Sequence, residues 1–158
     1  ELQELLKNPR DLVKAVESLV QERNELRKEI EQLHLEKSAG VKDQLKGQFV
    51  QKDSMQVLIA AVTLPNADSL KKLVYELKNE VSKSCIVLAA SIDNTPQVAV
   101  FIDESLLEAT GLHAGNLVRE LAKEIQGGGG GQPFFATAGG KDLKGLPQVV
   151  AKAKSILL

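Results

Sequence analysis

Gly127-Gly128-Gly129-Gly130-Gly131 is followed at once by Gln132-Pro133-Phe134-Phe135-Ala136-Thr137-Ala138-Gly139-Gly140. Five consecutive glycines are costly to order, because glycine loses more backbone freedom on folding than any other residue. A flexible linker is one reason for such a run, but the flanks argue against it. Upstream, Asn116 to Ile125 carries Leu117, Val118, Leu121, Ala122 and Ile125 on one face, the spacing of an amphipathic helix. Downstream stand two adjacent phenylalanines and a second glycine pair, where a linker would carry Ser or Glu. The stretch therefore predicts a tight loop with an exposed backbone. Glycines reach φ > 0 freely and leave their N–H groups uncovered, so the loop can cradle an anion. A helix stop followed by a close packing turn accounts for the same glycines. The glycines alone do not choose between the two.

The helix that enters the run carries Arg119 and Lys123, four apart and so on one face, with Asn116 one turn earlier. From Gln132 to the end, Lys141, Lys144, Lys152 and Lys154 outnumber the single acid Asp142. Cations bracketing bare glycine N–H groups suit a phosphodiester backbone. The alternative is an ordinary solvated lysine face, above all for Lys152 and Lys154. Phe134 or Phe135 offers a ring on which a base can stack; in a chain with 3% aromatic residues, at least one of them is expected in the core.

At 158 residues the chain makes one or two small domains, and 43% hydrophobic residues allow a modest core. Lys plus Arg, 20, against Asp plus Glu, 21, leaves a net charge near −1, so any basic footprint must be local. The single cysteine, Cys85, lies beside Ile86-Val87-Leu88 and reads as a buried thiol. It permits no disulfide within the chain, which suits a reducing cytosol. No signal peptide or membrane-spanning stretch is visible, since every apolar run is far shorter than about 20 residues. The chain opens at Glu1 without methionine and reads as a piece of a longer protein.

Working outward, residues 1–52 read as a helical arm and residues 56–158 as an α/β domain. Leu2, Leu5 and Leu6 form a short helical stub. Asn8 suits an N-cap, Pro9 the first helical position, and Asp11 the acid of a capping box. From Pro9 to about Lys37, Leu12, Leu19, Leu26 and Leu33 recur every seven residues, with Val16 and Ile30 between them. Arg23 and Lys37 interrupt that coiled-coil seam. Val13 and Val20 widen the stripe, and Glu22, Glu29 and Glu36 face Arg27 and His34 as flanking ion pairs. Each such pair is worth about 0.5 kcal/mol. Ser38-Ala39-Gly40 loosens or turns the helix, and Val41, Leu45 and Phe49 mark a weaker segment to Val50. One long bent helix and a hairpin folding back at Gly40 both fit.

Beyond Gln56 the period changes. Val57 to Val62 is a short continuous apolar run, the mark of a strand buried on both faces. Pro65-Asn66-Ala67-Asp68 closes it and caps a helix over 67–80 with Leu70, Leu73, Val74 and Leu77 inward. Cys85 to Ala90 is a second strand. Asp93-Asn94-Thr95-Pro96 is turn chemistry, and Val98 to Ile102 is a third strand, the hairpin partner of the second. A short helix around Ser105–Ala109, the helix 114–126, a short strand at 134–138 and a last helix from Leu146 to Leu157 complete the domain. The last helix buries Val149, Val150, Ala153, Ile156 and Leu157. A small sheet with helices on one or both faces results.

Enzymatic chemistry is sparse. His34 and His113 fall in different modules, and no Cys-x-x-Cys or His-x-x-x-His spacing offers a zinc site. His34 reads as a solvated flank and His113 as a helix-entry contact. Cys85 has no base beside it, and Ser84 and Ser91 lack a Gly-x-Ser-x-Gly setting. The glycine run is not followed by the Lys-Ser/Thr of a Walker loop, so nucleotide hydrolysis is not supported.

The glycine run, its short spacer, Ala136-Thr137-Ala138 and Gly139-Gly140 together resemble the signature of the DHH-associated domain. This domain occurs at the C-terminus of alanyl-tRNA synthetases and of DHH-family phosphoesterases. Asn116-Leu117-Val118-Arg119-Glu120-Leu121-Ala122 and the Asn8-Pro9 arm resemble the synthetase branch. Phosphoesterase members carry a histidine after the glycines, and here Gln132 stands there. The resemblance implies a non-catalytic C-terminal domain that binds the outer corner of tRNA, tRNAAla by implication, and helps upstream aminoacylation and editing domains act on it. It implies a cytoplasmic protein that meets no membrane. Dimerisation is a role in some members. No cofactor is implied for these residues; ATP, magnesium and zinc are implied for the parent enzyme. The expected nucleic-acid contacts are Asn116, Arg119, Lys123, Gly127, Gly128, Gly129, Gly130, Gly131, Gln132, Gly139, Gly140, Lys141 and Lys144. The substrate-binding lobe of a phosphoesterase and a pure oligomerisation module are the competing readings.

Overall fold

The computed structural model describes residues 11–158, apart from the side chains of residue 31 and residues 34–39. The Leu2, Leu5 and Leu6 stub, the Asn8 cap, Pro9 and the side chains of His34, Glu36 and Lys37 lie outside the described residues. The chain divides into two compact units, residues 1–37 and residues 38–158.

Helix α1 spans Leu12–Lys46. Asp11 is its cap: the carboxylate accepts from the N–H groups of Val13 (3.1 Å) and Lys14 (3.2 Å). In the first unit, Val13, Val16, Leu19, Val20, Leu26, Ile30 and Leu33 of the expected stripe are all exposed. The helix runs through Gly40, where the sequence suggested a loosening or a turn. A glycine inside a helix costs about 1 kcal/mol relative to alanine, and the buried Leu45 with half-buried Val41 anchors the turns that follow. Glu80 accepts from Lys42 (2.9 Å) and Lys46 (3.0 Å) there, and these bonds hold its carboxyl below the ordinary range. The helix ends at Lys46, and Val50 opens a strand instead of closing a helical segment.

In the second unit, β1 (Val50–Lys52), β2 (Met55–Leu64), β3 (Ser84–Ile92), β4 (Thr95–Ile102), β5 (Gly128–Gly131) and β6 (Phe135–Gly139) form one sheet in the order β1-β2-β3-β4-β6-β5. β2 and β3 are parallel, from Gln56 opposite Ser84 to Leu64 opposite Ile92. The helix that parallel pairing requires between them is α2 (Ala67–Lys78), capped by Asn66, whose side chain accepts from the Ser69 N–H (2.8 Å). β3 and β4 form the expected hairpin. Asp93 (φ 46°) and Asn94 (φ 59°) turn it in the left-handed region that suits strand twist.

Sheet residues alternate between two cores. Val57, Cys85, Val87, Val98, Val100, Ile102, Ala136 and Ala138 face α3 (Glu104–Thr110), α4 (Ala114–Ala122) and α5 (Leu146–Leu157). Leu58, Ala60, Ile86, Leu88, Ala99 and Phe101 face α2 and Leu45. Helices therefore lie on both faces. Two further expectations need correction here. The helix 114–126 is α-helical only to Ala122 and ends in a 3-10 turn, Lys123–Ile125. Ile156, placed in the core by its spacing, is 40% exposed, because α5 turns only Leu146, Val149, Ala153 and Leu157 fully inward.

Candidate nucleic-acid interface

The glycine run is not a loop. Gln126 turns the chain at φ 50°, and Gly128–Gly131 then form β5, the strand at one edge of the sheet, paired antiparallel with β6. No glycine in the run has positive φ. Their need for glycine is steric, and it alternates. A Cβ on Gly129 would lie 2.2 Å from the Thr137 carbonyl oxygen; Gly127 and Gly131 are equally closed, at 2.1 and 2.4 Å from backbone oxygens. These three fit the packing reading. At Gly128 and Gly139 a Cβ would meet nothing within 4 Å, and at Gly130 only the Arg119 guanidinium, at 3.5 Å.

The register arranges these open positions as a grid. Gln97, Gly139 and Gly128 form one cross-strand row; Ala99, Thr137 and Gly130 form the next; Phe101 and Phe135 head the third. Ala136 and Ala138 point the other way, to α4 and α5, so Ala99, Phe101, Phe135 and Thr137 lie on the α2 face of the sheet, while the open side of Gly130 faces Arg119 of α4. α2 covers Ala99 and Phe101, but Gly128, Thr137 and Gly139 are exposed. The outer part of this face is thus nearly bare backbone. The Gln132 N–H donates to the Phe135 carbonyl (2.8 Å) at the hairpin. Antiparallel alternation then turns the N–H and C=O of Gly129 away from β6, toward the edge.

α4 packs against β5 from the opposite side, and Arg119 reaches from it to Gly130. The Arg119 Nη1 donates to Asn116 Oδ1 (3.4 Å), and no carboxylate among the described residues lies within 4.0 Å of the guanidinium. At the other end of the face a groove of about 430 Å³ is lined by Gly127, Gly128, Gly139, Gly140 and Lys141 with Thr95, Pro96, Gln97 and Gln126. Lys141, exposed, forms no ion pair among the described residues.

The structure thus gathers Gly127, Gly128, Gly139, Gly140 and Lys141 around the groove, and Asn116 and Arg119 beside Gly130. Gln132 sits at the exposed hairpin turn. Lys123 and Lys144 are exposed on two 3-10 turns, Lys123–Ile125 and Leu143–Gly145, and neither lines the groove. Lys152 is neutralised by Glu124 (2.9 Å), with Glu120 at 3.8 Å. Sequence reading passed over Thr95, Pro96, Gln97 and Gln126. Their signal exists only in the register that sets Gln97 opposite Gly139.

Neither Cys85 nor His113 lines the groove. Burial pushes the Cys85 thiol up to about 12. His113 occupies the N-cap position of α4, where the sequence places a helix-entry contact, but its side chain makes no capping bond. Among the described residues no group of three or more His, Cys, Asp or Glu can hold a metal ion, and no helix is long and apolar enough to cross a membrane.

A six-stranded sheet between helices, with a glycine strand at its edge, defines a small α/β domain. Residues 54–158 match the DHHA1 domain family, and the chain belongs to that family. Among curated relatives, an alanine–tRNA ligase of Cytophaga hutchinsonii is 45% identical over 154 residues, 98% of this chain and 18% of the relative. One of Bacteroides thetaiotaomicron is 39% identical over 153 residues, 96% of this chain and 17% of the relative. The chain thus spans under a fifth of the length of these relatives. The fold matches the crystal structure of the C-Ala domain from Aquifex aeolicus alanyl-tRNA synthetase with a TM-score of 0.60 at 21% identity, covering 69% of this chain and 96% of that one.

Proposed function

We propose that the chain is a non-catalytic tRNA-binding module of a cytoplasmic alanyl-tRNA synthetase. It holds the tRNA outer corner by its sugar–phosphate backbone while upstream domains aminoacylate and edit. One observation carries this reading: Gly128, Gly130 and Gly139 are glycines without an intramolecular reason. Neither φ nor packing demands them. Glycine in a strand is less stable than a residue with a side chain by roughly 0.5–1 kcal/mol. A ligand that must approach the backbone explains all three, and Arg119 and Lys141 beside them, without an ion pair among the described residues, give that ligand negative charge.

Lys123 and Lys144 extend the same positive field as outer contacts, and Asn116 orients Arg119. The exposed stripe of α1 is read as a coiled-coil-like arm that joins the module to upstream helices or to a second copy. ATP, magnesium and zinc are assigned to other parts of a longer chain, not to these residues. The test is a titration of this chain with tRNA at several salt concentrations. Binding whose logarithm falls linearly with log salt, and which Arg119→Gln makes less steep by about one unit, is the expected result. Absence of salt-dependent tRNA binding overturns it.

A further inference from the structure

The third row of the grid ends in aromatic rings. Phe101 and Phe135 are cross-strand partners on the α2 face. Tyr75 of α2 leans over Phe135, ring centroids 5.5 Å apart and planes tilted by 35°. The Lys78 ammonium lies 5.1 Å from the Tyr75 ring centre and 5.2 Å from that of Phe101. Tyr75, Lys78 and Phe135 are all half-buried. Lys78 forms no ion pair within 4.0 Å among the described residues, although its charge helps lower the Asp103 carboxyl.

Phe135 and Thr137 are two residues apart on β6, about 7 Å along the strand. Gly130 pairs with Thr137, so a phosphate at Gly130 and Arg119 leaves these rings within the span of about one or two nucleotides. We propose that Tyr75 and Phe135, with Lys78, form a stacking platform for an unstacked RNA base, at the end of the glycine face where the backbone lies. Unpaired bases in folded RNA are recognised by stacking on aromatic side chains, and such stacking tolerates any base. Without RNA, the flexible Lys78 covers the ring. A cation–π contact at an exposed site is weaker than a base stacked on an aromatic ring, so the base displaces the ammonium, which then faces the incoming phosphates. The proposal rests on the tRNA-binding reading.

Tyr75 is the only tyrosine of the chain, which has no tryptophan, so its emission reports on this platform alone. The experiment adds a tRNA transcript to the chain, follows tyrosine emission corrected for RNA absorbance, and measures binding separately by mobility of the labelled RNA. Quenching that saturates with binding is expected. Tyr75→Leu and Phe135→Leu should each weaken binding about tenfold while the melt and the salt slope stay as in the parent, because a stacked base releases no counterion. Salt-dependent binding without quenching overturns the platform and leaves the tRNA-binding reading standing. So does a folded Tyr75→Leu chain that binds as the parent does. A parent chain that binds no tRNA overturns both.

Discussion

At the scale of single residues, one run of five glycines contains two kinds of position. Gly129 is closed: a methyl group there would sit 2.2 Å from the Thr137 carbonyl oxygen. Gly129→Ala should lower the unfolding free energy by more than about 2 kcal/mol, since the partner strand must move; a melt like the parent's would contradict the closed geometry. Gly128 is open, so Gly128→Ala should leave the melt unchanged or raise it. Asp103 gives a second residue-scale test. Hydrogen bonding from Ser105, then from the Lys83 N–H, holds its carboxyl below the ordinary 3.8, against partial desolvation. A depressed folded value stabilises the fold above the unfolded value and loses that stabilisation as pH falls through the folded one. The melting temperature should therefore fall with acidification below about pH 4, and less steeply in Asp103→Asn. Equal slopes would show that Asp103 contributes nothing to this fall. Cys85, with its thiol pushed up to about 12 inside the core, should resist thiol reagents at pH 8 until the chain unfolds.

At the scale of elements, legibility followed the side chains. Val57–Val62, Cys85–Ala90 and Val98–Ile102 read as strands because unbroken apolar runs have few other uses, and the structure extends each by a few residues. Asn66 and Asp93-Asn94 showed their roles through capping and turn chemistry. β5 escaped because strand reading depends on alternation of side chains, and Gly128–Gly131 have none. At Gly40 a long helix and a hairpin were both open in the sequence; the helix continues, with Leu45 buried beyond it, whereas Leu26 before it is exposed. That contrast is measurable. Leu45, 3% exposed, should cost about 2–5 kcal/mol on replacement by alanine. Leu26, 51% exposed, should change stability by less than about 0.5 kcal/mol in dilute chain. A large, concentration-dependent loss for Leu26→Ala would instead show that a second copy covers the α1 stripe.

At the scale of the whole molecule, the net charge near −1 gives no sign of the proposed interface. In the proposed interface Arg119 and Lys141 are the available charges, because no carboxylate among the described residues lies within 4.0 Å of either, whereas Lys152 pairs with Glu124. Which lysine is free is a tertiary fact, and no run of sequence displays it. The glycine signature was legible as a motif, but its division into closed and open positions needed the register of β5 on β6. Contacts made to phosphate carry no base information, so tRNAAla and other tRNAs of the same shape should bind this chain within a few-fold of one another.

The most direct measurement of the central claim replaces the two open glycines of β5 together. Valine favours a strand, and its Cβ would meet nothing within 4 Å at Gly128 and only the movable Arg119 side chain at Gly130. The Gly128→Val, Gly130→Val chain should keep or raise the parent's melting temperature while its affinity for tRNA, at fixed salt, falls by about tenfold or more. A variant that melts like the parent and binds tRNA equally well would contradict the account, because the bare face would then be a packing edge and nothing more.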